Sequence, residues 1–161
     1  MDRLWAPWRI GYVIGEKPTE CVFCSQPATH DDEQELILNR GELSFVLLNR
    51  FPYNNGHLLV APFEHVGDLS GLTQAQLVEM MGLAKVWIEV LRRAMYPEGF
   101  NVGFNIGRVA GAGIEEHVHL HIVPRWSGDT NFMPVLGDTR VVPQSLRDCY
   151  EVLRAEFEKS R

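Results

Sequence analysis

The chain has 161 residues, of which 45% are hydrophobic and 22% charged, with a formal net charge of −6 at pH 7. That length suits one domain with its own apolar core, and the composition excludes a mostly disordered chain. The acidic balance, without any basic stripe, argues against a protein that grips long nucleic acid; a small anionic ligand held by local backbone N–H groups stays open.

We expect a single domain over residues 1–161. Residues 1–20, rich in Trp, Pro and Gly, form an N-terminal arm, and residues 140–161 form a C-terminal helical extension. No run of 18 apolar residues occurs and the first residues lack the basic-then-apolar order of a signal peptide, so no membrane contact and a cytoplasmic location are expected. Three cysteines, an odd number, do not make a disulfide framework.

After the arm comes Cys21-Val22-Phe23-Cys24. By itself this is a metal knuckle, a redox pair or two buried thiols. A redox pair normally opens a helix after a strand, and the segment before it reads as irregular; zinc would need two more N or S ligands. Residues 29–34 are polar and read as a loop, with His30 solvated. Residues 43–49 and 57–62 are apolar runs joined by Tyr53-Asn54-Asn55-Gly56, an Asn-Gly hairpin signal longer than a two-residue turn. Thr73 and Gln76 have capping-box spacing and open a long helix. Along it Leu77, Met81, Ala84, Ile88, Leu91 and Met95 recur at three or four residues and are predicted to share one face, with Pro97 and Gly99 ending the helix.

Two more strands, 100–106 and 117–124, are predicted on either side of a Gly-rich link at 107–113. Pro143 starts a final helix whose apolar stripe is Leu146, Cys149 or Tyr150, Leu153 and Phe157, with Cys149 a core residue. The element order predicts an α+β fold, an antiparallel sheet with one long helix and a C-terminal helix.

His117-Val118-His119-Leu120-His121-Ile122 alternates strictly, so the three imidazoles are expected on one strand face, about 6–7 Å apart at a rise of roughly 3.3 Å per residue. Three readings compete: histidines merely tolerated on a sheet face, metal ligation by a His-x-His pair, and nucleophilic catalysis. A neutral imidazole is a competent nucleophile near pH 7, since its unperturbed pKa of about 6.5 leaves most of it uncharged. Aligned imidazoles also repel once protonated, which disfavours the first reading.

With Pro124-Arg125 after it, this run resembles the signature of the histidine-triad family of nucleotide hydrolases and transferases. Residues 42–50 and 56–60 (Glu-Leu-Ser-Phe-Val-Leu-Leu-Asn-Arg and Gly-His-Leu-Leu-Val) resemble the first hairpin of its fragile-histidine-triad branch. Residues 4–9 and 128–134 resemble a microbial subgroup linked to diadenosine polyphosphate phosphorylase or hydrolase activity. The resemblance implies a histidine-triad fold, a homodimer, and attack of the middle histidine on the α-phosphate to give a nucleotidyl-histidine that water or another acceptor releases. That role falls on His119. By the same likeness His121 contacts phosphate oxygens or orients the nucleophile, His57 supports the triad from the neighbouring strand, and Asn49 meets the ribose or the triad. Arg125 and Trp126 are candidates for contact with a second nucleotide.

Many relatives carry Gly-Gln-Ser/Thr-Val before the triad, where this chain has Ala112-Gly113-Ile114-Glu115-Glu116. Phosphate contacts at Gly113 and Ile114 therefore cannot be carried over. Backbone N–H groups of residues 110–113 acting as an anion nest, or Asn105, are candidate replacements; a plain flexible connection is the alternative for the Gly run. Some bacterial relatives hold a structural zinc, and the matching residues here are Cys21, Cys24, His65 and His117, with His117 also the first triad histidine. The closest rival activity is nucleoside phosphoramidate hydrolysis, and a rival of another class is a purine-nucleotide-binding module without turnover.

Overall fold

The computed structural model describes residues 20–129 and 144–160. The readings that fall on the arm, on residues 130–134 and on a helix start at Pro143 lie outside those residues. Within them the order is α1 (Val22–Ala28), β1 (Ile37–Arg40), β2 (Ser44–Leu48), β3 (Leu58–Pro62), α2 (Gln74–Met95), β4 (Gly99–Phe104), β5 (Leu120–Arg125) and α3 (Leu146–Lys159). The five strands form one sheet in the order β1-β2-β3-β5-β4, every neighbouring pair antiparallel. This is the expected α+β arrangement. No helix among the described residues is long and apolar enough to cross a membrane.

Strands β2, β3 and β5 are buried on both faces of the sheet, while β4 forms a partly exposed edge, and alternation sorts the buried residues between the two faces. Val46, Leu48, Leu58, Val60, Leu120 and Ile122 meet α2 and α3 in the larger core. Phe45, Leu47, Leu59 and Ala61 point the other way and join Ile37 and Phe23 in a second apolar cluster. That second face carries the histidines.

Thr73 and Gln76 form the anticipated capping box at the start of α2. The apolar face of α2 is rotated from the predicted one: Met80, Ala84, Trp87, Val90 and Leu91 are buried, while Met81 is 52% exposed. Sequence periodicity allowed two adjacent stripes, and burial on two sides decides between them. The sheet takes one flank of α2, and α3 takes the other through Trp87 stacked on Phe157 at 4.8 Å. Leu77, Ile88 and Met95 pack at the margin of that core. On α3 the expected stripe holds, with Cys149, Tyr150, Leu153 and Phe157 buried. Two elements escaped the sequence reading, α1 and β1, both too short to show a period.

The connection from β2 to β3 is long because it holds His57 in place. Asn54 donates to the Pro124 carbonyl and to Asp129, and Asn55 to Gln144. Gly56 sits at φ 71°, where a Cβ would lie 2.7 Å from the Met95 sulfur and 3.2 Å from Leu91. The left-handed backbone and the close approach of α2 both require glycine there. Gly56→Ala should therefore lower unfolding free energy by about 1–3 kcal/mol, read from denaturant midpoints.

Candidate active site and metal site

β5 begins three residues later than the sequence suggested. The Val118 N–H donates to the Val66 carbonyl, outside the ladder, and pairing with β3 starts at Leu120. His117 therefore turns toward residues 21–24 and 65, while His119 and His121 stay together with ring centroids 4.8 Å apart, closer than a flat strand would give. All three are buried, as is His57.

Hydrogen bonds fix the proton on each ring. The backbone N–H of Tyr53 donates to His57 Nδ1 at 3.0 Å, and the Asn49 side-chain amide lies 3.2 Å from the same nitrogen. His57 Nδ1 is thus an acceptor, so its proton sits on Nε2 and is donated to His121 Nδ1 at 2.9 Å. His121 then carries its own proton on Nε2, beside the Asn105 amide at 3.4 Å. His119 Nδ1–H donates to the His117 carbonyl at 2.7 Å, which leaves the lone pair of His119 on Nε2. In the same way His117 Nε2–H donates to the Pro62 carbonyl at 2.9 Å, leaving its lone pair on Nδ1.

Burial, first of all, keeps these rings neutral. It pushes His57 down to about 3, helped by the charges His121 and His119 would carry, and His121 to about 4, helped by His119. His119 is also lowered by burial, opposed by its bond to the His117 carbonyl. Near neutral pH the site therefore offers one imidazole lone pair, on His119, beside one imidazole N–H donor, on His121. A lone pair next to a donor can attack an electrophilic centre while an oxygen on that centre is held.

The His117 lone pair points into a second group. Its Nδ1 lies 3.3 Å from Cys21 Sγ and 3.7 Å from Cys24 Sγ, and His65 Nδ1 lies 3.4 Å from Cys24 Sγ. All four donor atoms lie within 4.8 Å of one another. A tetrahedral ion with bonds of about 2.3 Å to sulfur and 2.0–2.1 Å to nitrogen has S···N edges of about 3.5 Å. The donor set and its spacing fit such an ion. Cys21 is the N-cap of α1, so the pair does open a helix, which the sequence reading missed; both thiols are free.

The remaining candidates divide. Asn49, His57 and Asn105 converge on the triad. Arg125 does not: its guanidinium bonds Asp129 at 2.6 and 3.0 Å and Asn101 at 2.7 Å, tying the turn after β5 to β4. Trp126 donates to the carbonyls of Met95 and Tyr96, capping the end of α2. The anion nest is corrected. The N–H groups of Ala110, Gly111 and Ala112 are already donated to the carbonyls of Gly107, Arg108 and Gly107, leaving only Gly113 of that set. Gly113 itself is exposed with open space around its Cα. Ile114 packs against the second apolar cluster, which accounts for an apolar residue at that position. Two residues at the site were not anticipated. Tyr53 stacks on His121 at 5.6 Å, and Phe23 lies 4.7 Å from the His119 ring. Neither motif nor period marks them.

A family model described as the HIT domain matches residues 31–128. The chain belongs to the HIT family. It is 39% identical to the AP-4-A phosphorylase of Mycobacterium tuberculosis (strain H37Rv), over 98% of this chain and 85% of that protein. It is 32% identical to an adenosine 5′-monophosphoramidase of Schizosaccharomyces pombe, over 65% of this chain and 74% of that one. Among solved structures, a Zn-bound histidine triad family protein from Mycobacterium smegmatis superimposes with a TM-score of 0.70 at 26% identity, over 88% of this chain and 95% of that one. The HIT family is one of nucleotide hydrolases and transferases, and this chain is an enzyme of it.

The His57–His121 pair makes stability depend on pH in a defined direction. Both are neutral in the fold at values where the unfolded chain, with ordinary pKa near 6.5, already binds a proton. Their contribution is complete above about pH 6.5 and is lost as pH falls toward 4. Denaturant midpoints measured from pH 7 to 4 should fall, and His57→Gln should flatten that slope.

Proposed function

We propose that this enzyme cleaves dinucleoside polyphosphates such as diadenosine tetraphosphate at the α-phosphate through a nucleotidyl-His119 intermediate. The observation that carries this is the His119 Nδ1–H bond to the His117 carbonyl, which presents Nε2 as the attacking lone pair. Attack forms the N–P bond and expels the nucleoside triphosphate. The Nε2–H of His121 holds a phosphate oxygen as charge shifts. Water then gives AMP, or inorganic phosphate gives ADP, and His119 is regenerated. His57, fixed by the Tyr53 N–H, keeps His121 in its donating tautomer. Asn49 and Asn105 frame the nucleotide, and Gly113, whose N–H is the one among residues 110–113 not donated within the loop, offers it to a phosphate oxygen. The M. tuberculosis relative, named for AP-4-A phosphorolysis, supports the substrate class. The S. pombe relative favours a second reading, in which the leaving group is an amine.

The test is chromatography of diadenosine tetraphosphate incubated with enzyme, with and without inorganic phosphate. AMP with ATP identifies water as the acceptor, and ADP with ATP identifies phosphate. Intact dinucleotide alongside cleaved adenosine phosphoramidate would move the substrate to the second reading. Tight nucleotide binding without cleavage of either would make the protein a binding module. His119→Ala should lower kcat by at least about 10³-fold while nucleotide affinity changes only a few fold. Normal turnover by that variant would remove His119 as the nucleophile.

We further propose that Cys21, Cys24, His65 and His117 hold a structural zinc, a reading supported by the Zn-bound M. smegmatis relative. When bound, such an ion cross-links α1, the segment after β3 and the start of the triad strand, and four protein donors leave no open coordination position. His65→Ala should reduce zinc content, measured by metal analysis of purified protein, and lower the melting temperature. Protein that purifies fully folded without zinc would refute the site.

A further inference from the structure

We propose that Phe23 is a positioning residue for the nucleophile, and that the Cys21-Val22-Phe23-Cys24 knuckle thereby acts on the reaction as well as on stability. The inference rests on the reading of His119 as the attacking group. Phe23 lies between two donors of the four-atom site, so holding both sulfurs narrows the backbone positions open to it. The residue is 2% exposed, and its ring lies 4.7 Å from the His119 ring at 37° and 5.2 Å from the His117 ring at 47°. So little free surface suits contact with the imidazoles better than contact with a ligand.

The nucleophile needs this support. Among the described residues His119 makes one hydrogen bond, from Nδ1 to the His117 carbonyl, and that bond alone leaves its ring free to rock about the contact. Phe23 and His121, with ring centroids 4.7 and 4.8 Å away, both pack against the ring and limit that motion. Attack on phosphorus requires the Nε2 lone pair in line with the leaving group, and loss of that alignment costs rate more than binding. His117 supplies a second link between knuckle and nucleophile. Its Nδ1 faces the sulfurs, its Nε2–H is donated to the Pro62 carbonyl, and its own carbonyl accepts the His119 proton. Movement at the knuckle therefore reaches His119 by two routes, through a ring face and through a carbonyl.

The experiment compares wild type, Phe23→Leu and Phe23→Ala as full-length, zinc-loaded proteins. It measures zinc content, kcat and KM for diadenosine tetraphosphate, and ¹⁵N NMR of the histidine ring nitrogens. Zinc should be retained, kcat should fall about 10–100-fold for Ala and less for Leu, and KM should stay within about threefold. The His119 nitrogens should move from a single-tautomer pattern toward an averaged one. A raised KM with unchanged kcat would overturn the proposal, making Phe23 a wall of the nucleotide site. If Phe23→Ala loses zinc or fails to fold, Phe23→Leu decides: zinc retained with wild-type kcat overturns it. If wild type does not cleave the dinucleotide, the substrate reading fails separately. The ring-nitrogen spectra then decide this one, since identical His119 signals in wild type and Phe23→Leu would refute it.

Discussion

The carbonyl of His117 holds the proton of His119, and much of the site is built around keeping that carbonyl still. A peptide oxygen is a weak and undirected partner unless the residue carrying it is fixed elsewhere. His117 is fixed at both ring nitrogens, one donating to the Pro62 carbonyl and the other facing two cysteine sulfurs. Burial of the whole ring removes water as a competitor for each of these contacts. The consequence reaches two residues along the chain, where an imidazole with two accessible tautomers is held in one of them and becomes a directed lone pair.

A parallel device operates at the other end of the histidine cluster. The Tyr53 N–H belongs to a loop anchored by Asn54 and Asn55, and it sets the tautomer of His57, which sets that of His121. The two chains of hydrogen bonds run in opposite senses. One ends on a ring with its lone pair outward, the other on a ring with its proton outward. Desolvation keeps both uncharged, so the opposition persists where an exposed histidine would be partly protonated.

The protein's overall acidity also becomes intelligible. An enzyme acting on a small polyanion needs no basic surface if its donors are neutral N–H groups placed at the reacting atoms. Among the described residues the arginines mostly serve the scaffold: Arg40, Arg50, Arg93, Arg125 and Arg154 each bind a carboxylate. Arg108, on the turn before the triad, has no such partner among them.

The α+β class, the capped long helix, the C-terminal helical stripe and the segment that carries the chemistry were all legible in the order of residues. Each rests on local information: a period, a capping pair, an alternation of histidine with branched residues. That order also supplied the four candidate metal donors, though only through family likeness, because residues 21 and 117 are distant in the chain and no spacing rule connects them. Tertiary structure decided which stripe of the long helix is buried, since Met80 and Met81 satisfy the period equally and only packing against the sheet and the last helix separates them. It decided that Arg125 ties the turn after β5 to β4, that three of the four N–H groups of residues 110–113 are donated within their own loop, and that Phe23 and Tyr53 border the triad. Above all it decided where each imidazole proton sits, because a tautomer is set by the partner across the contact, and those partners come from the backbone of other segments.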